Sequence, residues 1–197
     1  MTKGLRETKK EKVNKLLYDT ALQLFREKGY EATSVREITQ KAGVAKGTFF
    51  NHFPTKDHIL ATWYRQISDQ ATEYCANQTF TSAREAVITL MRENINRAFA
   101  DADLIRAKAR MSPSTELLSD EEIAQDDELK GFCMTWLRRD QEKDAIPETL
   151  DLEYFSNLVI TIVTGNSRRW YYEGGFDVAD SVEKDLNFLF DAITPEA

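Results

Sequence analysis

The side chains best suited to chemistry are gathered in one short stretch, GVAKGTFFNHFPTKDHIL, which occupies residues 43–60. Hydrogen-bond donors alternate there with phenylalanines, and the donors are Lys46, Thr48, Asn51, His52 and Lys56. Side chains of these types donate hydrogen bonds to phosphate oxygens and to base edges. The stretch therefore indicates a surface that meets a polyanion, although an ordinary amphipathic helix with a solvated face has the same spacing.

Charge is distributed unevenly along the chain. Residues 1–60 hold 12 Lys+Arg and 7 Asp+Glu, a net charge of +5, whereas residues 61–197 hold 14 and 26, a net charge of −12. The two parts together give the −7 of the whole protein. A basic N-terminal part on an acidic chain favours a polyanionic partner for that part alone.

The residues around the basic stretch predict a helix-turn-helix. Ser34 and Glu37 have the spacing of a capping box, which opens a short helix that stops at Gly43. A second short helix is predicted over about 46–52, and Pro54 ends it because the residue before proline disfavours the α conformation. Two short helices joined by a tight turn are the layout of a helix-turn-helix module.

The second short helix has two different faces. Phe49 and Phe53 are four residues apart, so they share one face, which we expect to pack inward. The other rows carry the polar donors and Gly47. A glycine inside so short a helix costs about 1 kcal/mol relative to alanine. Because glycine has no side chain, its backbone could approach DNA closely.

Helical periodicity dominates the whole chain, and strand alternation is scarce. Helices are predicted at about 9–28, 35–42, 46–52, 56–78, 83–100, 103–111, 119–144, 151–173 and 178–193. The capping pair Thr8 and Glu11 favours a first helix from residue 9, with Lys3 and Arg6 on a flexible arm before it. The fold class is therefore all-α, with about nine helices.

Composition excludes several classes of protein. The two cysteines, Cys75 and Cys133, lack CxxC spacing, which favours buried, inert thiols in a reducing cytoplasm. The longest apolar run, near residues 158–163, is far shorter than the roughly 20 residues of a membrane helix. The N-terminus has no apolar stretch typical of a signal peptide. The short apolar run predicts no membrane partner. The sequence shows no enzyme motif, so we predict no catalytic residue, no metal and no cofactor.

Residues 27–60, EKGYEATSVREITQKAGVAKGTFFNHFPTKDHIL, resemble the DNA-binding signature of the TetR family of bacterial transcriptional regulators. The matching elements are G-Y-E-A-T-S, I-x-x-x-A-G-V, K-G-T-F-F-x-H-F and x-x-K-x-x-I-L. The resemblance implies phosphate contacts from Thr33, Ser34, His52 and Lys56. It implies recognition-helix contacts from Lys46, Gly47, Thr48 and Asn51.

Two positions depart from the family pattern. Ala45 stands where many members have serine, which removes a hydroxyl near the start of the recognition helix. Phe50 stands where tyrosine is common, so a phenolic contact to phosphate is lost. Phe50 would either make an apolar contact with a thymine methyl group or pack against the protein.

The resemblance implies two domains, a three-helix DNA-binding domain at 1–55 and a helical ligand-binding and dimerisation domain at 56–197. Two helices, at about 151–173 and 177–193, would form the homodimer contact, unless the first is merely central in a monomer. The implied small-molecule pocket has six candidate lining residues, Met91, Asn94, Phe132, Trp136, Asn166 and Arg169. Core packing or protein salt bridges are the alternative for each of these side chains.

The function that follows from the resemblance is transcriptional regulation. We expect a homodimeric, cytoplasmic repressor that binds a palindromic operator in double-stranded DNA and is released by a small-molecule effector. The alternatives are an activator of the same family and a helical ligand-binding protein that does not bind DNA.

Overall fold

The computed structural model describes residues 2–110 and 116–194, and all the regular structure within these ranges is α-helical. The helices are α1 (Thr2–Lys28), α2 (Val35–Ala42), α3 (Lys46–Phe50), α4 (Lys56–Ala76), α5 (Ala83–Phe99), α6 (Ala102–Arg110), α7 (Glu116–Gln141), α8 (Leu152–Glu173) and α9 (Val178–Asp191). The all-α prediction with about nine helices is confirmed. None of the helices in these ranges is both long and apolar enough to cross a membrane.

Two helix starts differ from the prediction by more than one residue, and α3 ends at Phe50 rather than at residue 52. Helix α1 begins at Thr2 rather than residue 9. The segment predicted to be a flexible arm therefore lies within the helix, and so does Thr8, which was predicted to cap the helix start. The cause is the run of Leu, Arg, Glu and Lys between residues 5 and 12, which are strong helix formers. Helix α7 begins at Glu116 rather than Ser119. The predicted break at 112–114 lies outside the described residues.

The chain forms two compact units. The first unit contains residues up to Tyr64 together with the segment from Asp101 that holds α6. The second contains Arg65–Ala100 and the described residues from Glu116 onward. The return of α6 to the first unit is not apparent from the sequence, since α6 is separated from α1–α3 by the whole of α5.

The core of the first unit is built from side chains at helical spacing. Leu17, Ala21 and Phe25 of α1 are fully or almost fully buried, at 0%, 0% and 1% exposure. Phe49 and Phe53 are also buried, which confirms that this face of α3 points inward. Further buried residues of the unit include Leu24, Tyr30, Ile38, Ile59, Leu60, Trp63, Leu104 and Ile105. The short helices α2 and α3 are thus fixed by their apolar faces.

The second unit has a separate apolar core that α5, α7, α8 and α9 share. Phe155 of α8 meets Phe190 of α9 edge to face, with ring centroids 5.0 Å apart. The buried Asp140 carboxylate accepts the backbone N–H of Ala83 at 2.7 Å, which ties the end of α7 to the start of α5. Cys75 and Cys133 belong to this core as free, buried thiols, as predicted.

Candidate nucleic-acid interface

Helix α2 begins and ends at local sequence signals. The Ser34 hydroxyl accepts the Glu37 N–H at 3.3 Å, and the Glu37 carboxylate accepts the Ser34 N–H at 2.8 Å, so the predicted capping box is present. Hydrogen bonds from Lys28 and then from Ser34 lower the pKa of Glu37 to about 2. Gly43 ends the helix in the left-handed region, at φ 68°, where glycine is favoured.

Helix α3 presents most of the predicted recognition residues on one short surface. Phe49 is fully buried, while Lys46, Gly47, Phe50 and Asn51 are exposed. The remaining two members of the set, Thr48 and His52, are half-buried. The structure therefore brings these six predicted residues together on the exposed side of α3 and of the two residues that follow it, and the buried Phe49 anchors the helix. We call Lys46, Gly47, Thr48, Phe50, Asn51 and His52 the α3 surface.

The fold itself does not require glycine at position 47. A Cβ atom placed there would have nothing within 4 Å, and the backbone of Gly47 is not in the positive-φ region. Alanine would therefore fit the free protein and would favour the helix. The open space above this backbone is available to a partner that approaches closely.

Phe50 does not pack into the core. Its side chain is 47% exposed, and its ring meets the buried Phe49 ring edge to face, with centroids 5.4 Å apart. The Lys46 ammonium lies 5.8 Å from the centroid of the Phe50 ring. An exposed phenyl group and an ammonium group thus stand side by side on the α3 surface.

Thr33 occupies a different environment from the one its predicted phosphate contact needs. It is only 2% exposed, and its hydroxyl donates to the carbonyl oxygens of Gly29 at 2.8 Å and Leu24 at 3.3 Å. These bonds hold the turn between α1 and α2. The arrangement favours a positioning role for Thr33. The next residue, Ser34, is exposed to solvent.

Lys56 is also engaged by the protein. Its ammonium donates to the carbonyl oxygens of Tyr30 at 3.0 Å and Thr33 at 3.3 Å, and it lies 4.1 Å from the centroid of the Tyr30 ring. The Tyr30 hydroxyl in turn donates to the Asp57 carboxylate. Two of the three ammonium protons are therefore used to join α4 to the turn before α2. This geometry favours a positioning role over the predicted phosphate contact.

Arg36 is a candidate that the sequence pattern did not single out. It lies on α2, is exposed, and has no ion pair within the described part of the chain. Lys41, on the same helix, is instead paired with Glu27 at 3.1 Å. The only sequence signal for Arg36 was the net positive charge of the N-terminal part, which does not distinguish paired from unpaired cations.

The six predicted ligand residues occur in three local groups of the second unit. On α5, Met91 is buried and the Asn94 amide donates to the Ser68 hydroxyl at 2.6 Å. On α7, the rings of Phe132 and Trp136 are half-buried, with centroids 6.5 Å apart.

The third group joins α8 to α9. The side-chain oxygen of Asn166 accepts a hydrogen bond from the Ser181 hydroxyl at 2.7 Å, and the side-chain NH2 of Asn166 donates to the Asp185 carboxylate at 2.8 Å. Arg169 donates to Ser181 at 3.3 Å. An open groove of about 680 Å³ lies elsewhere, between α5 and α9, and its lining includes none of the six predicted residues.

A capped α2, a tight turn and a short α3 with an exposed polar surface define a helix-turn-helix DNA-binding protein with a helical second unit. Residues 17–62 match the family model described as bacterial regulatory proteins, tetR family. This match identifies the helix-turn-helix segment of the chain as that of the TetR family of bacterial regulatory proteins.

Three similar proteins differ in how much of this chain they match. The uncharacterised regulator YuxN of Bacillus subtilis is 35% identical over 41% of this chain, and the match spans only 30% of YuxN. The repressor KstR2 of Rhodococcus jostii is 26% identical over 90% of this chain and 89% of its own length. The structure of the Thermus thermophilus repressor FadR with lauroyl-CoA has a TM-score of 0.72 and 22% identity over 93% of this chain and 97% of FadR.

Proposed function

We propose that this protein is a homodimeric, cytoplasmic repressor that binds a palindromic operator and leaves it when a small molecule binds. The observation that carries the proposal is the α3 surface, an exposed set of donors and open backbone on a helix fixed by the buried Phe49. We propose that residues 1–55 bind DNA and that residues 56–197 bind the effector and the second subunit.

The contacts with DNA divide into two kinds under this proposal. Lys46 and Thr48 on α3, together with Asn51 directly after it, are exposed or half-buried and would contact base edges in the major groove. Ser34 and His52, together with the exposed Arg36, would contact phosphates and fix the register. Thr33 and Lys56 would instead hold the turn before α2, because their side chains are bonded to backbone carbonyls there.

The exposed apolar surface of α8 and α9 supports the proposed dimer. Tyr154 and Tyr172 of α8 are 62% and 70% exposed, and Phe188 of α9 is 80% exposed. Large aromatic side chains at this exposure are typical of surfaces that another chain covers. A two-fold dimer also explains why a palindrome is expected, since each recognition helix reads one half-site about 34 Å from the other.

Two of the similar proteins support the repressor and effector parts of the proposal. KstR2 is a repressor, and FadR is a repressor whose structure contains lauroyl-CoA. The six residues in the three local groups of the second unit remain our candidates for the effector site. An effector that shifts the balance between two conformers by about 1–3 kcal/mol would change operator affinity by about 5- to 150-fold.

Footprinting and fluorescence anisotropy on the DNA upstream of the protein's own gene test the proposal. We expect a specific, salt-sensitive complex on a palindrome, with one dimer per site. The absence of such a complex on any upstream palindrome and on sites selected from random DNA would refute the DNA-binding function. A specific complex whose formation increases transcription in a reporter assay would instead identify an activator.

A further inference from the structure

Phe50 is a large apolar side chain on a surface otherwise made of polar groups. Its 47% exposure leaves about half of the phenyl group in water in the free protein, although its neighbour Phe49 is fully buried. The two rings touch edge to face, so Phe49 fixes the position from which the Phe50 ring projects. An exposed apolar group held in a defined place suggests that a partner covers it.

The chemistry of the phenyl ring limits what that partner group can be. Phenylalanine has no donor for a phosphate oxygen and no polar group for a base edge. The one apolar group that a base displays in the major groove is the C5-methyl group of thymine. The ammonium of Lys46, 5.8 Å from the ring centroid, is close enough to contact an acceptor on a neighbouring base pair or phosphate.

We infer that Phe50 is a specificity-determining residue that reads the methyl group of one thymine in each operator half-site. The inference rests on the proposed function, because it assumes that the α3 surface enters the major groove. It goes further by assigning a base at one position of the half-site and the atom that is recognised. It also explains why an aromatic side chain lacking a hydroxyl group is placed at this point of the helix.

The expected size of the effect follows from the burial of one methyl group. Removing it from one thymine should weaken binding about fourfold, equivalent to about 0.8 kcal/mol at 1.4 kcal/mol per tenfold change. Removing it from both half-sites should weaken binding about 16-fold if the two sites are independent. The salt dependence of binding should not change, since no phosphate contact is altered.

The test is a thymine-to-deoxyuridine scan of the operator with the full-length protein. Binding sites are first selected from a random duplex library, and each thymine of the selected site is then replaced singly by deoxyuridine. We expect one thymine per half-site at which the wild type loses about fourfold in affinity. The variant Phe50→Ala should bind the thymine and deoxyuridine duplexes equally, whereas Phe50→Leu should keep part of the preference.

The two possible failures can be distinguished. If the wild type selects no sequence at all, the proposed DNA-binding function fails. If it selects a site but tolerates deoxyuridine at every position, or if Phe50→Ala retains the full methyl preference, only the assignment of Phe50 is overturned. Circular dichroism of Phe50→Ala should show the wild-type helix content, because the side chain is not part of the core.

Discussion

Replacing Gly47 with alanine should stabilise the protein and weaken its binding to DNA. The added Cβ meets nothing within 4 Å in the free protein, and the residue does not have a positive φ. The fold therefore gains the helix propensity of alanine without a clash, about 0.5–1 kcal/mol. For a chain of this size the melting temperature should rise by roughly 1–4 °C.

The same methyl group should act in the opposite direction in the complex. If the DNA closes over the backbone at position 47, an extra methyl overpacks a tight contact, which costs about 1–3 kcal/mol. That cost corresponds to about 5- to 150-fold in affinity for each half-site. The opposite signs of the two effects separate a binding role from damage to the fold.

Urea unfolding and fluorescence anisotropy on the selected operator measure the two effects. Gly131→Ala is the matched control, because Gly131 is an exposed glycine within α7 whose added Cβ also has nothing within 4 Å. It should give a similar gain in stability with unchanged affinity. If Gly47→Ala binds the operator as tightly as the wild type, DNA does not approach this backbone closely. If Gly47→Ala is less stable than the wild type, the space around position 47 is not open in the free protein.

Three further predictions concern groups that the protein itself engages. Lys56→Ala should reduce the free energy of unfolding by about 1–3 kcal/mol, because two carbonyl oxygens lose a charged donor, and should leave the salt slope of DNA binding unchanged; a slope smaller by about one unit would show a phosphate contact instead. The lowered pKa of Glu37, about 2, means that its stabilising contribution is complete above the ordinary pKa of a glutamate and is lost as pH falls toward 2. The difference in urea midpoint between wild type and Glu37→Gln should therefore disappear near pH 2, and a difference that persists there would contradict this. Burial raises the pKa of the Cys75 thiol to about 11 and of the Cys133 thiol to about 12. Neither thiol should therefore react with a disulfide reagent at pH 8 until the protein is unfolded in denaturant. Rapid labelling of the native protein would disprove this prediction.

The features that could be predicted from the sequence are those whose partners lie close along the chain. The capping box of α2 joins Ser34 to Glu37, and Gly43 ends the same helix, so a few residues contain the whole signal. The inward face of α3 follows in the same way from the spacing of Phe49 and Phe53. Local rules of this kind predict the helix-turn-helix and the division of α3 into a buried and an exposed side.

The features that could not be predicted depend on partners that are distant in sequence. The resemblance implies a phosphate contact for Lys56, but it does not reveal that the Lys56 ammonium bonds to the carbonyl of Tyr30, 26 residues earlier. The same resemblance implies a phosphate contact for Thr33, whose hydroxyl is bonded to the carbonyls of Leu24 and Gly29. The placement of α6 in the first unit likewise depends on packing across the whole of α5.

The shortness of α3 connects these structural observations with recognition. A helix of five residues cannot be stable alone in water, since its formation fixes several residues for few hydrogen bonds. Its conformation must therefore come from its surroundings, which here are the turn at Gly43 and the burial of Phe49. The bonds of Lys56 and Thr33 secure the turn before α2 in the same way. Because buried contacts hold α3 in place, its exposed side chains, including Phe50, can be changed without loss of the fold, and their effect on DNA binding can be measured separately.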